Sequence, residues 1–220
     1  MARHDALHRT IVVVDITESS HPYRRDGDRL IMRHAMYQSL AAGLRKDWPA
    51  CYHEDRGDGV LVLVPPEVPK SRLVTSLPDR LETALDRHNA AMERRDPARA
   101  VATQVQLRVA LHAGEVTFDD HGVVGAAIDH TFRLAEVPPL KAALAASRDA
   151  CAFIVSDWFY GNVVYHRQDA RPDNYRPITC EVKGTQLSAW LKVPRPPLAL
   201  VETPWAGTAN PGPGIAHAAR

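Results

Sequence analysis

The chain has 220 residues, 45% hydrophobic and 24% charged, a composition ordinary for one soluble globular domain with a full core. Its 27 basic and 26 acidic residues leave a formal net charge of +1, which argues against nucleic-acid binding and against a basic membrane anchor. The longest apolar runs, such as Ile11–Val14 and Val60–Val64, are too short to span a bilayer, and no signal peptide is visible. Three widely spaced cysteines without metal-ligand spacing are typical of reduced thiols, so we expect a cytoplasmic protein.

Hydrophobic periodicity and turn residues predict alternating strands and helices. In chain order the predicted elements are a strand at Thr10–Ile16, a helix from Arg29 to about Trp48, a hairpin of Ala50–Arg56 and Val60–Val64, a helix at Ser71–Arg94, a strand at Gln104–Val116, a helix at Gly125–Leu134 that resumes after Pro138-Pro139, a strand at Ala152–Ser156, a short helix at Asp157–Tyr160, and a hairpin of Ile178–Val182 and Ala189–Val193. The order strand–helix–strand–strand–helix–strand is the split βαβ, ferredoxin-like arrangement. We therefore expect an α+β fold with helices packed on one face of the sheet.

Composition divides the chain into three parts. Residues 1–9 are expected to form an N-terminal extension and residues 10–193 one folded domain. Pro, Gly and Ala dominate residues 194–220, which predicts a flexible C-terminal tail. The fold alone predicts no chemistry, because ferredoxin-like domains support many functions.

Two carboxylates are expected to meet at one end of this sheet. Asp15 lies at the exit of the first predicted strand, and Asp58 lies in the turn of the following hairpin. These strands are neighbours in a split βαβ sheet, so the side chains of both residues can converge. Carboxylate oxygens suit Mg²⁺ or Mn²⁺, with nucleotide phosphates completing the coordination. The alternative is structural: Asp58 forms the turn and Asp15 caps the strand.

Five short segments carry a resemblance to a known family. They are Val14-Asp15-Ile16, Gly57-Asp58 with the strand after it, Arg108–Val116, Gly125–Leu134 and Val182-Lys183-Gly184. In this order and spacing, from about Thr10 to Val193, the sequence resembles the class III nucleotidyl cyclases, the adenylate and guanylate cyclase catalytic domains. No single segment is specific, whereas five in the family's order are hard to obtain by chance.

The resemblance implies a reaction and a set of residues for it. The ribose 3′-oxygen of a nucleoside triphosphate would attack the α-phosphate, which releases pyrophosphate and leaves a 3′,5′-cyclic nucleotide. Asp15 and Asp58, with the backbone carbonyl of Ile16, would hold two Mg²⁺ or Mn²⁺ ions per site. Arg133 would stabilise charge developing at the α-phosphate, and Lys183 would hold the terminal phosphates. Taken alone, Arg133 could be a surface ion-pair partner and Lys183 a solvated turn lysine.

The same resemblance implies how the base is read. Glu54 lies at the family's base-reading position, and a carboxylate there accepts both the N1–H and the amino group of guanine. GTP is therefore the favoured substrate. The second base-reading position falls near Gly122, which has no side chain. A pyrimidine nucleotide is the open alternative for the substrate, because some bacterial relatives make cyclic pyrimidine nucleotides in antiviral signalling. The structural alternative is that Glu54 is an exposed strand residue paired with Arg56.

The sequence departs from the family's pattern at two places. Asp129 stands where the family's helix carries an asparagine close to the ribose, and like charge would disfavour phosphate there unless His130 or Arg133 paired with it. The loop that begins at Thr17, which would cradle phosphate, reads Thr-Glu-Ser-Ser. Both departures motivate an alternative function: a degenerate domain that binds nucleotide or a protein partner without catalysis. A diguanylate cyclase relative is disfavoured, because EDRGDG replaces the GGDEF-type signature.

The resemblance also implies an assembly. In this family the site lies between two catalytic domains, one supplying the metal aspartates and the other the base-reading, arginine and lysine residues. This chain carries both sets, which implies a head-to-tail homodimer with two equivalent sites. We expect a nucleoside triphosphate as ligand, with neither nucleic acid nor membrane as a partner.

Overall fold

The computed structural model of the protein describes residues 5–193, whose strands form one eight-stranded sheet. The strands are β1 (Leu7–Ile16), β2 (Tyr52–Asp55), β3 (Gly59–Val64), β4 (Leu107–Asp119), β5 (Gly122–Val124), β6 (Cys151–Ser156), β7 (Tyr175–Val182) and β8 (Thr185–Lys192). The helices are α1 (Asp26–Leu44), α2 (Arg72–Thr75), α3 (Leu77–Arg95), α4 (Ala100–Thr103), α5 (Ala126–Ala135), α6 (Pro138–Ala145) and α7 (Asp157–Phe159). Short turns of 3₁₀ helix lie at Arg45–Ala50, Gln168–Ala170 and Pro172–Asn174, and a π-helical turn lies at Tyr160–Val164. The predicted tail, residues 194–220, lies outside the described residues.

The sheet order confirms the predicted class of fold. The strands run β2-β3-β1-β4-β6-β8-β7, and β5 pairs with β4 alone. The part β2-β3-β1-β4 is antiparallel throughout and is the order of a split βαβ sheet. β6 joins it in parallel with β4, and the β7–β8 hairpin extends the far edge. Within residues 5–193, no helix is long and apolar enough to cross a membrane.

Helices cover both faces of the sheet, so the prediction that they pack on one face is wrong. Val12 and Val14 of β1 belong to a core shared with α1 and α3, whereas Ile11 and Val13 belong to a second core shared with α5 and α6. Successive strand side chains point to opposite faces. The continuous apolar run of β1 is therefore buried on both sides, a pattern that the sequence prediction treated only as evidence of a buried strand.

Several element boundaries differ from the predicted ones, and three of the differences bear on the fold. β1 begins at Leu7, within the predicted N-terminal extension. The predicted helix over Ser71–Arg94 divides into α2 and α3, because Pro78 has no N–H and fits only the first turn of a new helix. β8 begins at Thr185, since the two-residue turn Lys183-Gly184 lets strand pairing resume at once.

The close approach of β3 to β1 requires glycine at position 59. Gly59 pairs with Asp15, and a Cβ atom added to it would lie 2.5 Å from the carbonyl oxygen of Val14. We expect Gly59→Ala to lower the free energy of unfolding by about 1–3 kcal/mol, because strand backbone would have to move. Gly27→Ala is the matched control: nothing lies within 4 Å of its added Cβ, and alanine favours helix α1. Equal urea midpoints for Gly59→Ala and the wild type would contradict this assignment.

Candidate active site

The sheet brings the two predicted metal aspartates to adjacent positions. Asp15 lies at the end of β1 opposite Gly59, and the backbone N–H of Ile16 donates to the carbonyl oxygen of Asp58 at 2.9 Å. The hydroxyl of Ser19 donates to the Asp58 carboxylate at 2.6 Å. Burial raises the pKa of Asp15, and the nearby negative charge of Asp58 raises it further. The two carboxylates therefore lie close together at one end of the sheet.

The donor set at this site fits a cation that arrives with a nucleotide. Among residues 5–193 no group of three or more His, Cys, Asp or Glu side chains is placed to hold a metal ion by itself. Mg²⁺ in nucleotide sites typically takes one or two carboxylates and leaves its other positions to phosphate and water. Asp15, Asp58 and the backbone carbonyl of Ile16 supply oxygen ligands of this kind.

An open cavity of about 480 Å³ adjoins Asp58, between the loop after β1 and the first turns of α1. Its lining includes Arg29, which donates to the carbonyl oxygen of Ser19 at 3.2 Å. It also includes Arg33, which pairs with Asp55 and therefore ties α1 to the hairpin. Asp58 thus opens onto a space bordered by two guanidinium groups. Sequence analysis did not single out either arginine.

Thr17 lies in a neighbouring cavity, also of about 480 Å³, rather than beside Asp58. Its hydroxyl donates to the carbonyl oxygen of Gln106 at 3.4 Å, and its backbone N–H donates to the same oxygen at 3.0 Å. Arg108 and Lys141 line the same cavity. The structure therefore places Thr17 near basic side chains, on the β4 side of Asp15.

Arg108 is a site residue that sequence analysis missed. It lies on β4 directly opposite Asp15, and its guanidinium forms an ion pair with the Asp15 carboxylate. A second carboxylate, Glu136, lies 3.8 Å from the same guanidinium, and the Arg108 Nε is buried without a hydrogen-bond partner. The motif that contains Arg108 is visible in the sequence. Its partner is not, because the partner depends on the register between two strands far apart in the chain.

Asp129, Arg133 and Lys183 line a separate cavity of about 510 Å³, together with Phe132 and Glu136. Arg133 and Asp129 come from α5, whereas Lys183 comes from the β7–β8 turn. Among the described residues, Asp129 forms neither a hydrogen bond nor an ion pair with His130 or Arg133. The cavity therefore presents two cationic and two acidic side chains to a ligand.

The tip of the β7–β8 hairpin fixes the position of Lys183. Both turn residues have positive φ, 50° at Lys183 and 74° at Gly184, as in the two-residue turns that match strand twist. A lysine in this conformation costs energy, and such outliers cluster at functional sites. The hydrogen bond from Lys141, with the charges of Arg108 and Lys183, holds the pKa of Glu136 below its usual value.

The two predicted base-reading positions are adjacent in the structure. A Cβ atom added to Gly122 would lie 3.5 Å from the Glu54 carboxylate. That carboxylate accepts hydrogen bonds from Tyr52 at 3.0 Å and forms an ion pair with Arg56 at 2.8 Å. The Arg56 guanidinium also lies over the Phe132 ring, 5.5 Å from its centroid. The pairing of Glu54 with Arg56 expected under the structural alternative is thus present, and it links the base-reading residues to α5.

Two histidines, one on β4 and one on α5, pack against each other. His112 of β4 forms a hydrogen bond with Ser156 at 2.7 Å, and its ring centroid lies 4.7 Å from that of His130. Burial lowers the pKa of His112 to about 4 and also lowers the pKa of His130. Neither ring carries charge near neutral pH, so the positive charge of α5 at this cavity comes from Arg133.

Comparisons with known proteins give a result for the fold alone. No protein-family model and no curated protein matches the sequence. The adenylyl cyclase CyaB from P. aeruginosa matches with a TM-score of 0.56 and 13% identity over 88% of this chain and 97% of its own. A guanylyl cyclase matches with a TM-score of 0.52 and 17% identity over 86% of this chain and 92% of its own.

A third match is the catalytic core of a rhodopsin-guanylyl cyclase with converted specificity, in complex with ATPαS. Its TM-score is 0.52 at 18% identity over 89% of this chain and 100% of its own. The chain therefore has the fold of class III adenylate/guanylate cyclase catalytic domains. The fold implied by the sequence resemblance is confirmed.

Proposed function

We propose that this protein is a nucleotidyl cyclase that converts a nucleoside triphosphate, GTP by preference, to a 3′,5′-cyclic nucleotide and pyrophosphate. One observation carries the proposal. On a cyclase fold, the oxygen donors Asp15 and Asp58 lie at one end of β1 and β3, while Arg133 and Lys183 line a different cavity. The separation of these sets supports a site that is completed by a second copy of the chain.

Each set has a distinct task in the proposed reaction. The 3′-oxygen forms a bond to the α-phosphorus, the bond to the β-phosphate oxygen breaks, and pyrophosphate leaves. Divalent cations at Asp15 and Asp58 would favour the ionised 3′-hydroxyl and neutralise phosphate charge. Arg133 donates to the α-phosphate oxygens as charge develops there, and Lys183 binds the leaving pyrophosphate. Asp15, Asp58 and the backbone carbonyl of Ile16 would hold these cations through their oxygen atoms.

Base selection is proposed to rest on Glu54. Its two carboxylate oxygens already accept from Tyr52 and Arg56, and each ionised oxygen can accept a second hydrogen bond. Guanine offers its N1–H and amino group to those positions. Gly122 leaves the space beside the carboxylate without a side chain. These features support GTP over ATP, which presents an acceptor at N1.

The proposed assembly is a head-to-tail homodimer with two equivalent sites. One copy supplies Asp15 and Asp58, and its partner supplies Arg133, Lys183 and the base-reading pair. An isologous two-fold arrangement forms two such sites at once. No membrane or nucleic-acid partner is part of the proposal, and the compartment proposed is the cytoplasm.

A product assay tests the proposal. Purified protein is incubated with Mn²⁺ and each of ATP, GTP, CTP and UTP, and cyclic nucleotide and pyrophosphate are quantified together. We expect both products in equal amounts, with the largest yield from GTP. A folded dimer that forms neither product from any of the four substrates would exclude the cyclase. A larger yield from CTP or UTP would keep the reaction and replace the base assignment.

A second candidate is a domain that binds nucleotide without converting it. Asp129 favours it, because this carboxylate lines the same cavity as Arg133 and has no ion pair with it. Its negative charge would oppose the polyphosphate and reduce what Arg133 contributes in the transition state. Thermal stabilisation by a triphosphate without any product would select this candidate. Product formation that Asp129→Asn increases would instead identify a slow enzyme.

A further inference from the structure

Arg108 forms an ion pair with Asp15, a carboxylate that the proposed metal site needs. Its guanidinium is paired with Asp15, and the two side chains are only 13% and 19% exposed. A guanidinium is permanently charged, so deprotonation cannot remove it from the carboxylate. The contact is made to Oδ2 of Asp15. A cation that binds Asp15 must therefore displace Arg108, share Oδ2 with it, or bind Oδ1 beside the guanidinium, and the last two arrangements meet charge repulsion. Metal binding and the Arg108–Asp15 pair thus oppose each other.

A second partner for Arg108 is already in place. Glu136, in the loop that follows α5, lies 3.8 Å from the Arg108 guanidinium. Its carboxylate is held by Lys141 of α6 at 2.8 Å. A guanidinium that left Asp15 for Glu136 would keep a counter-ion, at a carboxylate that is 43% exposed. Without one, a guanidinium as buried as that of Arg108 would be costly. Arg108 thus has two possible carboxylate partners, Asp15 and Glu136, and its side chain can reach both.

We propose that Arg108 is a built-in competitor for the cation site, and that Glu136 is the positioning residue that receives it when a cation binds Asp15. The inference rests on the metal site proposed above. In the metal-free protein Arg108 balances the charge of Asp15 and keeps the pair of aspartates together. In the metal-bound protein it balances Glu136. The affinity for the cation is then set by Glu136 and Lys141, neither of which touches the metal.

Mn²⁺ binding to the full chain without nucleotide tests this inference, measured from the free-ion signal in electron paramagnetic resonance. Arg108→Gln should tighten binding by about tenfold, because it removes the competitor. Glu136→Gln should weaken binding by about fivefold, because Arg108 loses its second carboxylate partner and stays on Asp15. Lys141→Gln should tighten binding, because Glu136 becomes free to take Arg108. Lys141 and Glu136 have side chains that are 46% and 43% exposed, so Lys141→Gln should fold normally. It therefore tests the inference even if Arg108→Gln fails to fold.

A double-mutant cycle separates the inference from general electrostatics. Removing the Glu136 charge weakens cation binding to some degree by Coulomb attraction alone, and that effect would be the same in any background. If Arg108 moves between the two carboxylates, Glu136→Gln should change Mn²⁺ affinity only when Arg108 is present. Arg72→Gln is the control for a lost positive charge, since Arg72 of α2 pairs with Asp47 in the 3₁₀ turn after α1 and should leave affinity unchanged.

The outcomes distinguish this inference from the proposed function. Mn²⁺ binding that Asp15→Asn and Asp58→Asn both weaken, with additive effects of Arg108→Gln and Glu136→Gln, would overturn the inference and retain the metal site. Binding that neither aspartate variant alters would overturn the metal site and the inference with it. If Glu136→Gln changes Mn²⁺ affinity in the wild-type background but not in the Arg108→Gln background, Arg108 exchanges between Asp15 and Glu136.

Discussion

Asp58→Asn is expected to lower cyclic-nucleotide formation by about a thousandfold or more, since a carboxylate that fixes a catalytic cation is worth several kcal/mol in the transition state. The side chain of Asp58 is exposed and accepts one hydrogen bond, from Ser19. Asparagine keeps an acceptor for that bond, so the melting temperature should change little. The loss should therefore appear in turnover and in Mn²⁺ affinity, not in folding.

Asp86→Asn is the matched control for Asp58→Asn. Asp86 is an exposed carboxylate of α3, on the sheet face away from α5, and its neutralisation changes the net charge of the chain by the same amount. We expect wild-type turnover from it. Turnover of Asp58→Asn within a few-fold of the control would refute the metal role and leave Asp58 as a turn residue.

A mixture of two inactive variants should recover activity if the site is shared between chains. Asp58→Asn removes a residue from one half of each site, and Arg133→Ala removes a residue from the other half. In a dimer formed by one copy of each variant, one site carries both changes and the other carries neither. Random pairing makes half of the dimers mixed, so we expect about a quarter of wild-type activity from chains that are almost inactive alone.

The same experiment discriminates between a shared site and a site within one chain. Co-expression followed by a product assay measures the recovery, and a double variant carrying both substitutions on one chain, mixed with wild type, is its counterpart. Each site of a mixed dimer then carries one altered half, so only the wild-type dimers are active and we expect about a quarter of wild-type activity from this mixture. About half of wild-type activity from the double variant mixed with wild type, with none from the two single variants, would locate the whole site in one chain.

Much of the fold could be predicted because short sequence patterns specify its individual strands and turns. The β-branched run of β1 and the Asp-Gly turn before β3 each specify an element by short-range chemistry. Their chain order then leaves few sheet arrangements, and the observed order β2-β3-β1-β4 is the expected one. The prediction that helices pack on one face was wrong because the apolar run of β1 does not identify the helices that cover its two faces. A continuous apolar run shows that both faces are buried but not which helix covers each.

The contacts that sequence analysis missed at the site share a physical cause. Arg108 meets Asp15 through strand register, and Arg56 meets Phe132 through the packing of a hairpin against α5. Neither contact follows from spacing along the chain, because each joins segments separated by many residues. Arginine on a strand or in a turn is also common on protein surfaces, so its type alone gave no signal.

The sequence by itself determined the residue types that the proposed chemistry requires and their places on the elements: one carboxylate at the end of β1, one just before β3, an arginine on α5, and a lysine in the last turn. Only the tertiary structure decided which of these side chains share a cavity and which charges oppose one another. It placed Arg108 on Asp15 and Glu136 within its reach. Charge interactions act through space, and the distances that set them are fixed by strand register and helix packing rather than by order along the chain.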